Sequence, residues 1–311
     1  MGVKVFRAKT AAGVRWGKEV SGSFFWLQNS SETLAKFLDS QGWNSDAQPV
    51  KTEETFQFLS PVTSPCQIIC QGKNYLDHLL ETGVQPKDKD FNILFTKADS
   101  SLAPPVGELK IPPGVRLLDY EIELGLVFGK KIDSSTKIEE KNLSSFVAGI
   151  VIGNDFSARD IQVPQRQWFK GKSFRGFCPV GPYLYILGPE EFSHVLNLEL
   201  ELKVNGEVRQ RANTKQLMHK PLETLQEIQN IFDLRVGDLL LTGTPGGVAM
   251  KVKPKVSDGG AEGDKEKFQK FIEEQAASGR YLKNGDEVTA EIYSASGHIH
   301  LGRQAIRIKS H

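Results

Sequence analysis

The sequence contains little that would point to a secreted protein or to a nucleic-acid-binding one. It has three cysteines in 311 residues, an odd number that argues against a disulfide framework and favours a reducing compartment. Lysine and arginine together number 39, and aspartate and glutamate number 38. The chain therefore lacks the basic excess that binds nucleic acid or anionic lipid, and a small molecule is the expected partner.

Long apolar runs are also absent. The first residues, MGVKVFRAKTAAG, contain no apolar signal core, and no stretch reaches the roughly 18 apolar residues of a membrane span. We therefore expect a cytoplasmic protein that has no membrane partner. A hydrophobic content of 39% is nevertheless enough for a full core, and the length favours one or two domains.

Prolines mark a boundary in the first quarter of the chain. Pro61 and Pro65 punctuate the sequence before an apolar run, which predicts a small N-terminal α+β domain at residues 1–63 and a larger domain at 64–311. The larger part is mainly strand-like, without the regular strand–helix alternation of a doubly wound sheet. We predict an α+β fold, mainly β, with mixed or antiparallel sheets. Residues 253–281 are polar, which indicates an inserted surface loop and a short amphipathic helix.

Two glutamates lie in a strongly alternating segment. LLDYEIELGLVFGK predicts one strand from Leu118 to Phe128, with Glu121 and Glu123 on the same face. Residues two apart on a strand are about 6.6 Å apart along the backbone. Their carboxylates can converge on one hard cation, whereas burying both without a cation is disfavoured. The alternative is a solvent-facing strand with two ordinary charges.

A third carboxylate follows another buried strand. FVAGIVIGNDFSARDIQ predicts a strand that ends at Gly153. Asp155 follows two residues later, where a side chain can point into a site. Three carboxylates and water suit octahedral Mg²⁺ or Mn²⁺, and the lack of histidine in this set argues against zinc. Alternatively, Asp155 caps the helix that begins at SARD.

A histidine and a glutamate share one face of a predicted helix. His78 and Glu81 are three residues apart in NYLDHLLETG, within the helix predicted at residues 75–82. A carboxylate beside an imidazole raises its basicity, which suits the pair for activating water. The alternative is an ordinary surface pair.

Two lysines and a glycine-rich turn are further candidates. Lys97 follows an apolar strand and Lys172 lies in a Gly-flanked turn; each is either a solvated lysine or a cation that neutralises developing negative charge. In LLLTGTPGGV a strand runs into Gly243 and Thr244. Their backbone N–H and hydroxyl groups can hold a carboxylate, or the segment is a plain turn.

The motifs, taken in order, are similar to those of the fumarylacetoacetate hydrolase family. They are QGKNYLDHLLETG, DYEIELGLVFGK, NDFSARDIQ, WFKGKSF with CPVGP, and LLLTGTPGGV, and they cover about Pro65 to the C-terminus without the insertion. The resemblance implies the family's β-roll and a homodimer. It also implies that the metal ligands are Glu121, Glu123 and Asp155, the catalytic residues His78, Glu81, Lys172 and Lys97, and the substrate-binding residues Gln162, Thr244, Gly243 and Tyr75.

The resemblance implies a hydrolase that requires Mg²⁺ or Mn²⁺, with Ca²⁺ as a third option. Such an enzyme cleaves a C–C bond in a small 2,4-dioxo acid, for example an acylpyruvate or fumarylacetoacetate, through a metal-stabilised enolate. The same enolate would serve an oxaloacetate decarboxylase, an isomerase or a hydratase, and a non-catalytic metal-binding relative is a further alternative. Arg175, where many relatives have an acidic residue, would favour a more anionic substrate.

Overall fold

The structure, a computed structural model, describes residues 2–83, 85, 91–188, 190–251 and 261–311, and only the backbone of 261–264. The α-helices in these residues are α1 (Leu34–Asp39), α2 (Leu76–Glu81), α3 (Glu140–Leu143), α4 (Arg159–Gln165), α5 (Trp168–Lys172), α6 (Pro221–Ile228) and α7 (Ala261–Ala277). None of them is both long enough and apolar enough to cross a membrane.

Strands make up most of the regular structure. In chain order they are β1 (Val3–Thr10), β2 (Gly13–Val20), β3 (Ser23–Leu27), β4 (Ala47–Pro49), β5 (Gln57–Leu59), β6 (Ile68–Gly72), β7 (Ile93–Lys97), β8 (Leu102–Ala103), β9 (Val106–Lys110) and β10 (Leu118–Asp119). They continue with β11 (Ile122–Phe128), β12 (Val147–Asn154), β13 (Ser157–Ala158), β14 (Cys178–Pro179), β15 (Leu184–Ile186), β16 (Leu198–Val204), β17 (Glu207–Asn213), β18 (Leu239–Leu241), β19 (Glu287–Ser294) and β20 (His300–Lys309).

Two large sheets are formed by the described strands. One has eleven strands in the order β4-β3-β2-β1-β15-β12-β11-β18-β6-β7, with β5 beside β1; the other has five, in the order β17-β16-β19-β20-β9. The pairs β10-β13 and β14-β8 form two small sheets. Most neighbours are antiparallel, but β18 runs parallel to β6, β20 to β9 and β14 to β8. The prediction of a mainly β fold with mixed sheets is confirmed.

The largest core cluster joins the two large sheets. Leu124 of β11 belongs to the same cluster as Leu200 of β16 and Ile292 of β19. The sequence LELELKV of β16 alternates buried with half-buried residues, as expected for a strand with one face on the core. In contrast, every residue of β11 is buried, because Val127 packs in a second cluster on the other side. The central strand β11 therefore carries Glu123 into the interior.

The N-terminal strands are continuous with the large sheet. β1 pairs antiparallel with β15, with Val3 opposite Ile186, and Val5 packs in the same core cluster as Leu184. Strand pairing therefore crosses the boundary predicted at residue 63, and the division into two domains stays a prediction.

The strand predicted from Leu118 to Phe128 is interrupted. Tyr120 and Glu121 lie between β10 and β11, because β10 pairs with β13 whereas β11 pairs with β12. The single strand was therefore wrong at this point. The chain changes its neighbouring strand immediately before the first glutamate of the pair.

The insertion predicted at 253–281 contains α7, a helix of 17 residues and therefore longer than the short helix expected. Phe271 on this helix is 5% exposed and packs in the main core cluster, and Ile272 packs against that cluster. The helix is thus anchored on the fold. The loop part of the prediction falls largely on 252–260, outside the described residues.

Candidate active site

The ends of two paired strands bring three carboxylates together. β11 and β12 are antiparallel, with Ile122 opposite Asn154, so Glu121 before β11 lies beside Asp155 after β12. The Asp155 N–H donates to the Glu121 carbonyl oxygen at 2.8 Å. Carboxylate oxygens of Glu121, Glu123 and Asp155 all lie within 4.8 Å of one another, and all three residues are buried.

The chemistry of this triad fits a divalent cation. Glu123 accepts a hydrogen bond from the Gly243 N–H at 2.7 Å, and within the described residues no cation pairs with it. Burial, and then the charges of Asp155 and Glu121, raise the pKa of Glu123 well above its usual value. A buried carboxylate beside two others is stabilised by a hard cation, and an oxygen-only donor set suits Mg²⁺, Mn²⁺ or Ca²⁺.

Two lysines border the triad. The Lys172 ammonium donates to Glu121 Oε2 at 2.7 Å, Asp155 Oδ2 at 2.5 Å and Ser157 Oγ at 2.9 Å. Lys97 donates to Asp155 Oδ1 at 2.5 Å and to the Lys172 carbonyl oxygen. Burial lowers the pKa of Lys172, but Asp155 and Glu121 outweigh burial and raise it above its usual value. Both lysines are buried, so neither is an ordinary solvated lysine.

Arg159 ties several parts of the site together. Its Nε donates to Asp119 Oδ2 at 2.8 Å, Nη1 donates to Gln162 Oε1 at 2.8 Å, and Nη2 donates to Glu121. Asp119 Oδ1 in turn accepts from the Ala249 N–H at 2.8 Å. The guanidinium therefore fixes a carboxylate of the triad and a substrate-binding candidate in one plane. Asp155 does not cap α4, whose N-cap residue is Ala158.

Replacing Arg159 by Met is expected to destabilise the protein by about 3–5 kcal/mol, because Asp119 and Glu121 would lose a buried cationic partner. Urea unfolding measures this change. Arg175→Met is the matched control, because Arg175 is exposed. Equal unfolding midpoints for the two variants would show that the Arg159 ion pairs do not stabilise the fold.

The α2 helix places His78 over the triad but does not pair it with Glu81. His78 is buried, and its Nδ1 has no hydrogen-bond partner in the described part of the chain. Burial lowers the pKa of His78, and the nearby charge of Glu121 raises it. Burial is the larger effect, and the pKa falls to about 3. The Glu81 oxygens instead accept from the Gly247 N–H at 3.1 and 3.0 Å and from Lys251 Nζ at 2.5 Å. The imidazole is therefore neutral near pH 7, and the expected dyad is not paired in this structure.

A small cavity opens above the triad, and Glu121 and Glu123 are part of its wall. The side chains predicted for the site that line it are His78, Glu121, Glu123, Lys172, Gln162 and Thr244. Those that do not line it are Glu81, Lys97, Asp155, Gly243 and Tyr75. Lys97 and Asp155 lie directly behind the lining residues, through the contacts given above. Arg175 is exposed and does not line this cavity.

The glycine-rich loop after β18 contributes a backbone N–H and a hydroxyl group to the site. Gly243 has φ +92°, and a Cβ there would lie 2.7 Å from Asn74 Cβ, so only glycine fits where its N–H reaches Glu123. The Thr244 hydroxyl accepts from Gln210 Nε2 at 2.7 Å, which leaves its proton available to a ligand in the cavity. Tyr75 is buried, and its hydroxyl has no partner among the described residues.

Several cavity residues were not predicted. The main ones are Gln71, Lys73, Phe95 and Trp168. Gln71 and Lys73 stand at the end of β6, which runs parallel to β18, so both strands deliver loops to the same edge of the sheet. Their position inside the QGKNYLDHLLETG motif was the available signal, but the parallel pairing that brings the two loops together is not visible in the sequence.

Comparisons with known proteins identify the family and the fold. Residues 67–309 match the family model described as fumarylacetoacetate (FAA) hydrolase C-terminal. Mitochondrial oxaloacetate tautomerases of Rattus norvegicus and Homo sapiens are each 36% identical to the chain, over 78% of it and 68% of their own length. The structure of a fumarylacetoacetate hydrolase from Exiguobacterium antarcticum is 30% identical and superposes with a TM-score of 0.76, over 99% of this chain and 100% of that one. A 5-carboxymethyl-2-hydroxymuconate delta-isomerase from Mycobacterium smegmatis, 23% identical, shares the fold with a TM-score of 0.71 over 99% of each chain.

Proposed function

Because the chain belongs to the fumarylacetoacetate hydrolase family, we propose that it is a divalent-metal-dependent enzyme that moves a proton between the keto and enol forms of a 2-oxo acid. One observation carries the proposal. Three buried carboxylates lie within 4.8 Å of one another; two of them, Glu121 and Glu123, line the same cavity as the neutral, buried His78 imidazole, whose Nδ1 has no partner in the described residues. Such a site can polarise a carbonyl and take up a neighbouring proton without activating water.

The triad would hold the cation through Glu121, Glu123 and Asp155. A bound Mg²⁺ or Mn²⁺ supplies Lewis acidity, which lowers the cost of negative charge on the 2-oxo oxygen. The Lys172 ammonium, at the cavity wall and against two of the three carboxylates, adds positive charge where the enolate oxygen would form. Lys97, which donates a hydrogen bond to Asp155, adds a second positive charge beside the triad.

His78 is suited to move the proton. It lines the cavity, and burial keeps its imidazole neutral, so one ring nitrogen can accept a proton from carbon 3. A substrate carboxylate in the cavity would raise the basicity of the ring, because a nearby negative charge favours the imidazolium. Gln162, which is oriented by Arg159, and the Thr244 hydroxyl provide polar groups for the substrate carboxylate.

The charges around the cavity favour a dicarboxylate. The buried carboxylates of the site are Asp119, Glu121, Glu123 and Asp155, and the buried cations are Lys97, Lys172 and Arg159. With a divalent cation bound, these groups have a net positive charge, and Lys73 on the cavity wall adds another. Oxaloacetate is therefore the first substrate to test, in line with the names of the two mammalian relatives.

C–C bond hydrolysis of a 2,4-dioxo acid is the second candidate. It is supported by the position of His78 and Glu81 on one face of α2, where they could activate water as a pair. We place it second because Glu81 is bound by Gly247 and Lys251 instead. Cytoplasmic location and a homodimer stay predictions, and the two mammalian relatives are named as mitochondrial.

The test is turnover of oxaloacetate and of an acylpyruvate by EDTA-stripped protein, before and after Mg²⁺ or Mn²⁺ is added. Loss of enol absorbance without release of pyruvate is the expected result and identifies tautomerisation. Pyruvate with CO₂ from oxaloacetate would identify a decarboxylase, and carboxylic acid with pyruvate from the acylpyruvate would identify the hydrolase. No turnover of either compound, with metal bound, would point to a non-catalytic relative and overturn the proposal.

His78→Gln is expected to lower kcat for oxaloacetate tautomerisation by about 100-fold or more, which is the usual contribution of a positioned acid or base. Metal affinity should stay within about threefold of wild type, because His78 is not in the ligand set. Stopped-flow absorbance measures the rate and calorimetry the metal affinity. A variant that keeps its rate would show that the proton moves through another group.

A further inference from the structure

Glu81 is bound on the side of α2 that faces the glycine-rich loop. Both of its oxygens accept from the Gly247 N–H, at 3.1 and 3.0 Å, and Oε1 also accepts from Lys251 Nζ at 2.5 Å. We propose that Lys251 is a positioning residue that sets reaction specificity, because it holds Glu81 away from His78 and so favours proton transfer over water activation. This inference rests on the function proposed above.

The loop is shaped to make this contact. Gly247 has φ +105°, and a Cβ there would lie 1.9 Å from the Arg209 carbonyl oxygen, so only glycine can present its N–H to Glu81 at this point. A Cβ on Gly246 would lie 3.0 Å from Asp77 Cβ. The loop and α2 therefore approach each other closely, and the Glu81 carboxylate lies at the contact between them.

His78 and Lys251 compete for one carboxylate. His78 and Glu81 are three residues apart on α2, a spacing that brings side chains within reach of each other. The Nδ1 of His78 has no partner in the described part of the structure, whereas Glu81 is already engaged. The Lys251–Glu81 ion pair is partly exposed, with side-chain exposures of 34% and 23%, so removing the lysine should leave the fold intact.

The two reactions differ in whether water needs a base. In hydrolysis, water adds its oxygen to the distal acyl carbon, and the bond from that carbon to carbon 3 breaks with its electron pair left on carbon 3. The proton taken from water then returns to carbon 3, which yields one carboxylic acid and one 2-oxo acid. In tautomerisation a single proton moves between carbon 3 and the 2-oxo oxygen, so His78 suffices without Glu81.

The experiment compares wild type with Lys251→Met, using Mg²⁺-loaded protein. The ratio of acylpyruvate hydrolysis to oxaloacetate tautomerisation should rise about tenfold in this variant, because the freed carboxylate can then raise the basicity of His78. Lys251→Arg should restore the wild-type ratio. Lys170→Met, which removes an exposed lysine from α5 next to the cavity residue Trp168, should leave the ratio unchanged.

The second readout is the ¹⁵N resonance of His78 Nδ1, assigned by its absence from His78→Gln. It should move to a hydrogen-bonded position in Lys251→Met and not in Lys170→Met. An unchanged ratio and an unchanged resonance in an active enzyme would overturn the role of Lys251. If wild type fails to tautomerise oxaloacetate, the proposed function falls, and the resonance alone then decides whether Lys251 holds Glu81.

Discussion

Glu123→Gln is expected to weaken binding of Mg²⁺ or Mn²⁺ by at least about 100-fold and to abolish metal-restored turnover, since an amide oxygen replaces a charged ligand. Glu123 is the member of the triad with no cationic partner in the described residues, and its contact is the Gly243 N–H at 2.7 Å. The Gln amide oxygen can accept that same hydrogen bond. The metal-free variant should therefore unfold at nearly the wild-type temperature.

Calorimetric titration with Mn²⁺ and thermal unfolding with and without metal check this prediction. Metal should raise the unfolding temperature of wild type, because a ligand that binds only the native state stabilises it, and should leave that of Glu123→Gln unchanged. Glu53→Gln, at an exposed position, is the matched control. Wild-type metal affinity in Glu123→Gln would show that the triad is not the metal site.

Glu121→Gln, unlike Glu123→Gln, should reduce stability as well as metal binding, and it therefore separates the roles of the two glutamates. Glu121 pairs with Lys172 at 2.7 Å and with Arg159. Burial raises the pKa of Glu121, but the charges of Lys172 and Arg159 outweigh burial and lower it below its usual value. Its neutral replacement leaves two buried cations with one partner fewer, so stability as well as metal binding should fall.

The sequence was enough to group the three carboxylates of the triad but not to describe how the strands bring them together. Alternation around Glu123 put Glu121 and Glu123 on one face of a predicted strand, and the buried run before Asp155 put Asp155 just after another; in the structure the three carboxylates lie together where these two strands pair. The break at Tyr120 arises because β10 and β11 pair with different strands. Pairing partners far apart in the chain are not encoded in local periodicity, so one continuous strand was predicted.

The same limit explains the residues around the cavity. Spacing alone showed that His78 and Glu81 share a helix face, but the partner of Glu81 comes from a loop about 170 residues later. Likewise, Lys73 reaches the cavity because β6 lies parallel to β18. The family motifs predicted the side chains of the candidate site, whereas the contacts that orient those side chains depend on tertiary packing.

Lys172→Met is expected to change catalysis and metal binding in opposite directions. Removing the ammonium should lower kcat by about 100- to 1,000-fold, because it takes away a preorganised positive charge beside the enolate oxygen. Metal affinity should instead rise about tenfold, since Lys172 Nζ donates to Glu121 Oε2 and Asp155 Oδ2, at 2.7 and 2.5 Å. A cation that binds the same carboxylates no longer competes with this ammonium for them.

The stability of Lys172→Met is a third, independent measurement of what this lysine does. Without metal, Glu121 and Asp155 lose a buried partner, and the variant should be less stable by about 3 kcal/mol; saturating Mn²⁺ should recover most of that loss. Chemical unfolding with and without Mn²⁺ measures both values, and Lys170→Met controls for the loss of a lysine. A weaker metal affinity would contradict the prediction, because it would mean that the ammonium organises the carboxylates for the metal instead of competing with it.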